Sequence, residues 1–192
     1  MECNILSYHL SHQMEFTLSF VKQLLALGED LKAIDENGDN TLQYCLKYQT
    51  KWTLATVQLL LEEGVDPRET NVVGNNSLHL CLLKQTEWTL PIVQLLLEKG
   101  VDPKEADLDG RNSLHFCMIT QTEWSLPIVQ LLLKKGVDPR EADINGTDSL
   151  RLCLSKQTEW THPHRSTTVK EMEKWVLVWI LKKMTEIDGT TG

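Results

Sequence analysis

The chain is short of positive charge, of long apolar runs and of clustered cysteines, and each shortage excludes a class of protein. Its 19 lysines and arginines stand against 27 carboxylates, for a net charge of −8 over 192 residues. Such a balance repels nucleic acid unless a local basic patch exists, and the cations are scattered among carboxylates. A neutral or basic protein partner suits the charge better. The longest apolar run, Trp175 to Leu181, is too short to cross a bilayer. The first residues, MECNILSYHLSHQMEF, lack the basic start, apolar core and small-residue cleavage site of a signal peptide. A soluble protein is expected.

Catalytic vocabulary is also missing. There is no phosphate-binding glycine loop, no Gly-x-Ser-x-Gly elbow and no Cys/His nucleophile pair that escapes the repeat described below. His162 and His164 form a His-Pro-His pair without a nearby cysteine or acidic cluster at ligand spacing, so a polar loop is expected rather than a metal site. The segment 161–192 holds histidines, threonines and glutamates but no constellation of them. No enzyme, cofactor or metal is expected.

What the sequence does have is a period. Cys45, Cys81, Cys117 and Cys153 are spaced 36 apart, and only Cys3 stands outside the series. Gly28, Gly64, Gly100 and Gly136 keep the same interval, as do Trp52, Trp88, Trp124 and Trp160, with Phe16 one unit earlier. A fixed period of this length marks stacked structural units. Equivalent cysteines then sit about a helix diameter apart, too far to bridge, and read as small buried hydrophobes with reduced thiols in an intracellular setting.

One unit, from Gly100, reads GVDPKEADLDGRNSLHFCMITQTEWSLPIVQLLLKK. Asp109-Gly110 signals a tight reversal. Leu114, Cys117 and Met118 predict a short amphipathic first helix. Leu126, Ile128, Val129, Leu131, Leu132 and Leu133 predict a second, ending where lysines meet the helix carboxyl end and Gly136 supplies a left-handed cap.

The aromatic of the repeated phrase is followed by Thr17, Thr53, Thr89, Ser125 or Thr161, each suited to cap a helix. With that hydroxyl as the cap, the aromatic faces Val21, Val57, Val93 or Val129 as a hydrophobic staple, and Pro91 and Pro127 fall in the first turn. The tryptophans then fix where the second helix starts and pack between units; the alternative is an exposed aromatic array that stacks on a ligand. The last unit departs: Arg165 replaces the staple partner, Thr168 to Glu171 opens a new capping box, and a longer helix runs to about Glu186. Such a departure suits the closing unit of a solenoid. The divisions expected are an amino-terminal capping unit over 1–27, units over 28–63, 64–99 and 100–135, and a carboxyl-terminal unit with a long capping helix over 136–192.

These residues resemble the ankyrin repeat family. Its Thr-Pro-Leu-His box, which opens the first helix, stands here as Asn76-Ser77-Leu78-His79 and Asn112-Ser113-Leu114-His115. It degrades to Asn40-Thr41-Leu42-Gln43 and Asp148-Ser149-Leu150-Arg151 in the outer units. The turn glycine is Gly38, Gly74, Gly110 or Gly146, and Val-Asp-Pro looks like the family's Gly-Ala-Asp. The period exceeds the family's usual length of about 33 residues, with the surplus near QTEW. The resemblance implies an all-α solenoid of helix-turn-helix units with hairpin-like turns and capping units at both ends. It also implies that His79 and His115 tie neighbouring turns by hydrogen bonds. Asp66, Asp102 and Asp138, whose place Asp30 shares, repeat identically and so belong to turns.

Framework positions barely change between units, so differences mark a contact surface. At the hairpin tips these are Glu36-Asn37, Val72-Val73, Leu108-Asp109 and Ile144-Asn145; two places earlier stand Ile34, Thr70, Ala106 and Ala142. After the turn glycine stand Asp39, Asn75, Arg111 and Thr147, and at the first helix's end Lys47-Tyr48, Leu83-Lys84, Ile119-Thr120 and Ser155-Lys156. By resemblance these positions line the concave groove with which ankyrin repeats grip partners. Val72, Val73, Leu108 and Ile144 are apolar where a turn should be solvated, which marks a contact surface unless they pack on neighbouring hairpins. The expected function is a monomeric, cytoplasmic, non-catalytic adaptor or inhibitor that binds a protein. The alternatives are a viral or bacterial effector that occludes a host protein, and an array that self-associates through Trp175 and Trp179.

Overall fold

The computed structural model of the protein describes residues 18–47, 53–84, 86–120 and 125–155. Phe16, Trp52, Trp124 and Trp160, the His162 loop and the segment from Lys156 to the end, with its capping box and Trp175, lie outside them, as does the amino-terminal part of the first capping unit.

Eight helices are described: α1 (Leu18–Ala26), α2 (Thr41–Lys47), α3 (Thr53–Glu62), α4 (Ser77–Leu83), α5 (Thr89–Glu98), α6 (Ser113–Thr120), α7 (Ser125–Lys134) and α8 (Ser149–Ser155). Short helices α2, α4, α6 and α8 stack on one another in one layer. Longer helices α1, α3, α5 and α7 stack in a second layer, and each of α2, α4 and α6 also packs on the helix that follows it. Between the layers runs one apolar seam: Leu24, Leu42, Leu60, Leu78, Leu96, Leu114 and Leu132 are all buried. The array is the stacked series of units that the period predicts and the all-α solenoid that the resemblance implies.

The first helices are not the amphipathic helices expected from their spacing. Every residue from Thr41 to Leu46, from Ser77 to Leu82 and from Ser113 to Met118 is buried. Helices α4 and α6 each have the preceding and following first helices on two sides and their own second helix on a third, so little of their surface is left for a polar stripe. In that crowding the bulky polar residues Gln43, His79 and His115 are hydrogen-bonded at both ends, and the cysteines fit as small apolar side chains. Cys45, Cys81, Cys117 and Cys153 are buried free thiols, and burial pushes Cys45 up to about 12.

The second helices end as their glycines predict. Gly64 has φ 82°, and its N–H donates to Leu61 O while Val65 N donates to Leu60 O. This pair of bonds satisfies carbonyls that the helix end would otherwise orphan, and buried Val65 closes over buried Leu60. The same two bonds recur after α1, α5 and α7.

Helix α5 starts differently from expectation. Trp88 itself takes the cap position: its carbonyl accepts from Ile92 N at 3.3 Å, and its side chain makes no capping bond. The Thr89 hydroxyl faces backwards and accepts from Thr86 N at 2.8 Å, shaping the turn before the helix. Trp88 stays 37% exposed although Val93 is fully buried. The extra residues near QTEW thus build a one-turn entry closed by Thr89 N to Thr86 O.

A candidate protein-docking surface on the stacked hairpins

Between consecutive helix pairs the chain makes a hairpin with an invariant plan. In the third, Asp107 Oδ1 accepts from Asp109 N at 3.0 Å and Arg111 N at 2.8 Å, and Gly110 N donates to Asp107 O. Asp35, Asn71 and Asp143 make the same pair of bonds in the other three. A short side-chain acceptor that bonds two and four residues ahead fixes the loop without help from neighbours. Gly74, with φ 82°, shows why glycine follows: a Cβ there would lie 2.8 Å from Leu108 N.

The hairpins then join to each other. Val72 N donates to Asn37 O, Leu108 N to Val73 O, and Ile144 N to Asp109 O, at 2.9 to 3.1 Å. Below the tips a side-chain ladder repeats this linkage. Asn76 caps α4, accepting from Leu78 N and His79 N, while its amide donates to Glu105 Oε2 of the next unit at 2.8 Å. Asn40 reaches Glu69 and Asn112 reaches Glu141 at the same distance. His79 Nδ1 accepts from Asn76 N, which leaves Nε2–H to donate to Glu105 O at 3.1 Å. His115 does the same between Asn112 N and Thr147 O. The two box histidines tie neighbouring turns, as the resemblance implies.

Gln43, which reads as a decayed box histidine, performs the same task. Its Oε1 accepts from Asn40 N, and its amide donates to Glu69 O and Asn75 O. Arg151 does not: it is exposed and turns back to Gly146 O and Asp148. The four repeated aspartates do belong to turns, each accepting the backbone N–H two residues ahead, at Lys32, Arg68, Lys104 and Arg140.

On this framework the tip residues face outward. Ile34, Val72, Val73, Leu108 and Ile144 are 50 to 73% exposed, so they are not packed into neighbouring hairpins. Glu36, Asn37, Thr70, Ala106, Asp109, Ala142 and Asn145 are exposed with them, and Lys84 lies exposed at the end of α4. Ile119, Thr147 and Arg111 are half-buried. Two expected contact residues stand behind the surface instead. Asp39 is fully buried, held by Lys47 at 2.8 Å and Asn71 Nδ2 at 2.7 Å, and Asn75 is buried beside the Gln43 amide that bonds its carbonyl. Tyr48 lies outside the described residues.

Arg111 is a fixed cation. Its guanidinium bonds Asp107 and Asp109 at 2.7 Å and lies 5.4 Å above the Phe116 ring, whose other neighbour is the stacked His79 ring at 4.7 Å. The Asp107 carboxylate raises Arg111 above the ordinary guanidinium range. Burial lowers His79 to about 4, so this ring is neutral at physiological pH. The sequence reading missed the stack; Leu83, which varies between units beside Lys84, is exposed on the last turn of α4. That reading also missed where the charge sits. The four hairpins (34–40, 70–76, 106–112 and 142–148) hold Asp35, Glu36, Asp39, Asp107, Asp109, Asp143 and Asp148 against Arg111 alone, net −6 in a chain of −8.

Stacked helix pairs, outward hairpins joined tip to tip and a box residue bridging each unit to the next are the marks of one architecture. The pattern of ankyrin repeats in three copies matches residues 9–107 and 52–148. The chain belongs to the ankyrin repeat family. No curated protein matches it closely enough to add a relative. Ankyrin repeats mediate protein–protein interaction. Among the described residues of this ankyrin array, no group of three His, Cys, Asp or Glu is placed to hold a metal ion, and no helix is long and apolar enough to cross a membrane.

Proposed function

We infer that this ankyrin array is a non-catalytic binding module that docks a protein on its hairpin tips and on the adjoining ends of its first helices. One observation carries the inference: a row of exposed aliphatic side chains, Ile34, Val72, Val73, Leu108 and Ile144, on a backbone that is hydrogen-bonded in place. An apolar row left wet costs free energy that a partner recovers, and a rigid scaffold loses little entropy when it docks. An adaptor or an inhibitor acting in the cytoplasm would use such a surface, since each role requires only that a partner be held. Occlusion of a host protein by an effector uses the same surface.

Affinity capture from a cell lysate tests the inference, with the full chain as bait and a Val73→Asp/Leu108→Asp double variant as its control. Proteins captured by the native chain and lost by the double variant, with the melting temperature preserved, are the expected result. Capture that is identical with both baits would remove the tips from the binding surface.

A further inference from the structure

We propose that the protein segment received by the hairpin tips has an apolar middle and carries lysine or arginine at both ends. This rests on the docking reading above and adds the chemistry of the partner.

The charge along the row of tips is ordered. The second hairpin, Thr70 to Asn76, carries no charged side chain and presents Val72 and Val73 side by side. In the third, Leu108 is the most exposed apolar residue of the row, and Arg111 is bonded to both neighbouring carboxylates. The middle of the row is therefore apolar and close to neutral. Its two ends are acidic. The first hairpin places Asp35 and exposed Glu36 where the second has Asn71 and Val72, and the fourth carries Asp143 beside Ile144.

Among the described residues, the cations nearest the tips are committed elsewhere, and exposed Lys84 stands at the opposite end of α4 from its hairpin. Lys47 is held by Asp39, and Arg68 by Asp66. Lys32 and Lys104 lie against Gly64 and Gly136, at the far ends of the second helices. Arg151 pairs with Asp148. Among the described residues, Asp35 and Glu36 at one end of the row form no ion pair, and the cation nearest Asp143 at the other end is Arg111, which Asp107 and Asp109 already hold. An apolar centre with a charged rim divides the work of recognition: the centre supplies affinity on losing water, and the rim selects the partner and speeds encounter. A segment with cations at both ends matches both halves, and one with acidic ends is repelled at each.

Panning a displayed library of random 15-residue peptides against the full chain supplies the probes, which are then synthesised with their end residues varied. Selected peptides are expected to carry lysine or arginine on both sides of an apolar middle. Changing those residues to glutamate should weaken binding at least about tenfold, and raising NaCl from roughly 0.05 to 0.5 M should weaken it several-fold. Glu36→Lys with Asn145→Lys, both at exposed positions, should shift preference toward acidic ends.

Peptides with neutral or acidic ends that bind equally well, yet fail on Val73→Asp/Leu108→Asp, would overturn the charge rule and leave tip docking intact. Peptides that bind this double variant as well as the native chain would overturn tip docking itself; its circular dichroism and melting confirm folding. The chain also holds a segment of the stated kind, Trp175 to Leu181 between Lys174 and Lys182-Lys183. If peptides bind only after Lys182→Glu and Lys183→Glu, that segment is the native occupant, and the proposal of a separate partner fails.

Discussion

His79 shows how much one buried side chain contributes to this array. Its ring is fully buried, bonded at both nitrogens and stacked on Phe116. Burial holds its pKa near 4, whereas the unfolded chain presents an ordinary histidine near 6.5. Between those values the unfolded chain takes up more protons than the folded one, so stability falls as pH drops from 6.5 toward 4. The span corresponds to roughly 3 kcal/mol. Gln43 makes the equivalent bonds with no titratable group. His79→Gln should therefore fold and lose less stability over this window, measured by urea unfolding at pH 4.5 and 7. Equal acid loss in both proteins would mean that another group carries it. Glycines offer a second comparison at this scale. Gly74 and Gly100 both have positive φ, but a Cβ at Gly74 meets Leu108 N at 2.8 Å, while at Gly100 it meets nothing within 4 Å. Gly100→Ala should cost roughly 1–2 kcal/mol for the left-handed backbone alone, and Gly74→Ala distinctly more. Melting of the two variants side by side checks the order.

At the scale of the element, helix caps and inter-unit links are the same residues. Asn112 Oδ1 caps α6 through Leu114 N at 3.1 Å, and its amide donates to Glu141. Aspartate caps a helix as well as asparagine does. Yet Asn112→Asp replaces the donor with a second carboxylate beside Glu141, and it should cost on the order of 1–3 kcal/mol in chemical denaturation. Recovery on adding Glu141→Gln would identify the lost link as the cause; no recovery would place the cost in the cap. Much of this level was legible beforehand. Left-handed glycines and turn aspartates each follow from a local rule that one unit obeys by itself, and the bridging histidines were legible through the resemblance of their box. What was not legible depends on neighbours. The first helices are buried on most sides because units stack above and below them, and no pattern within seven or eight residues records that. Trp88 displaced Thr89 as the cap because the inserted residues close a turn of their own, which is a matter of loop geometry and not of propensity.

Over the whole molecule, repetition separates framework from display. Residues that keep their identity every 36 positions fill the seam and the ladders, and residues that change reach the tips. The rule held for Val72, Val73, Leu108 and Ile144. It failed for Asp39 and Asn75, which vary between units yet lie buried: Lys47 and Asn71 hold the Asp39 carboxylate, and Asn75 lies beside the Gln43 amide that bonds its backbone carbonyl. Variation alone thus does not distinguish a docking residue from a polar substitution within the ladder; exposure does. Acidity concentrated on the hairpins was present in the sequence all along, but it becomes a property of one surface only when the four tips are joined.

Leu108 and Leu114 stand six residues apart in one unit, at 73% and 1% exposure. Thermal melting of Leu108→Asp beside Leu114→Asp is the most direct measure of whether this chain holds its framework within and its variety outside. Leu108→Asp is predicted to melt within a few degrees of the native chain, and Leu114→Asp, with a carboxylate in the seam, to lose several kcal/mol or fail to fold. Comparable loss in both would place the tips in the core and contradict the separation on which the docking surface depends.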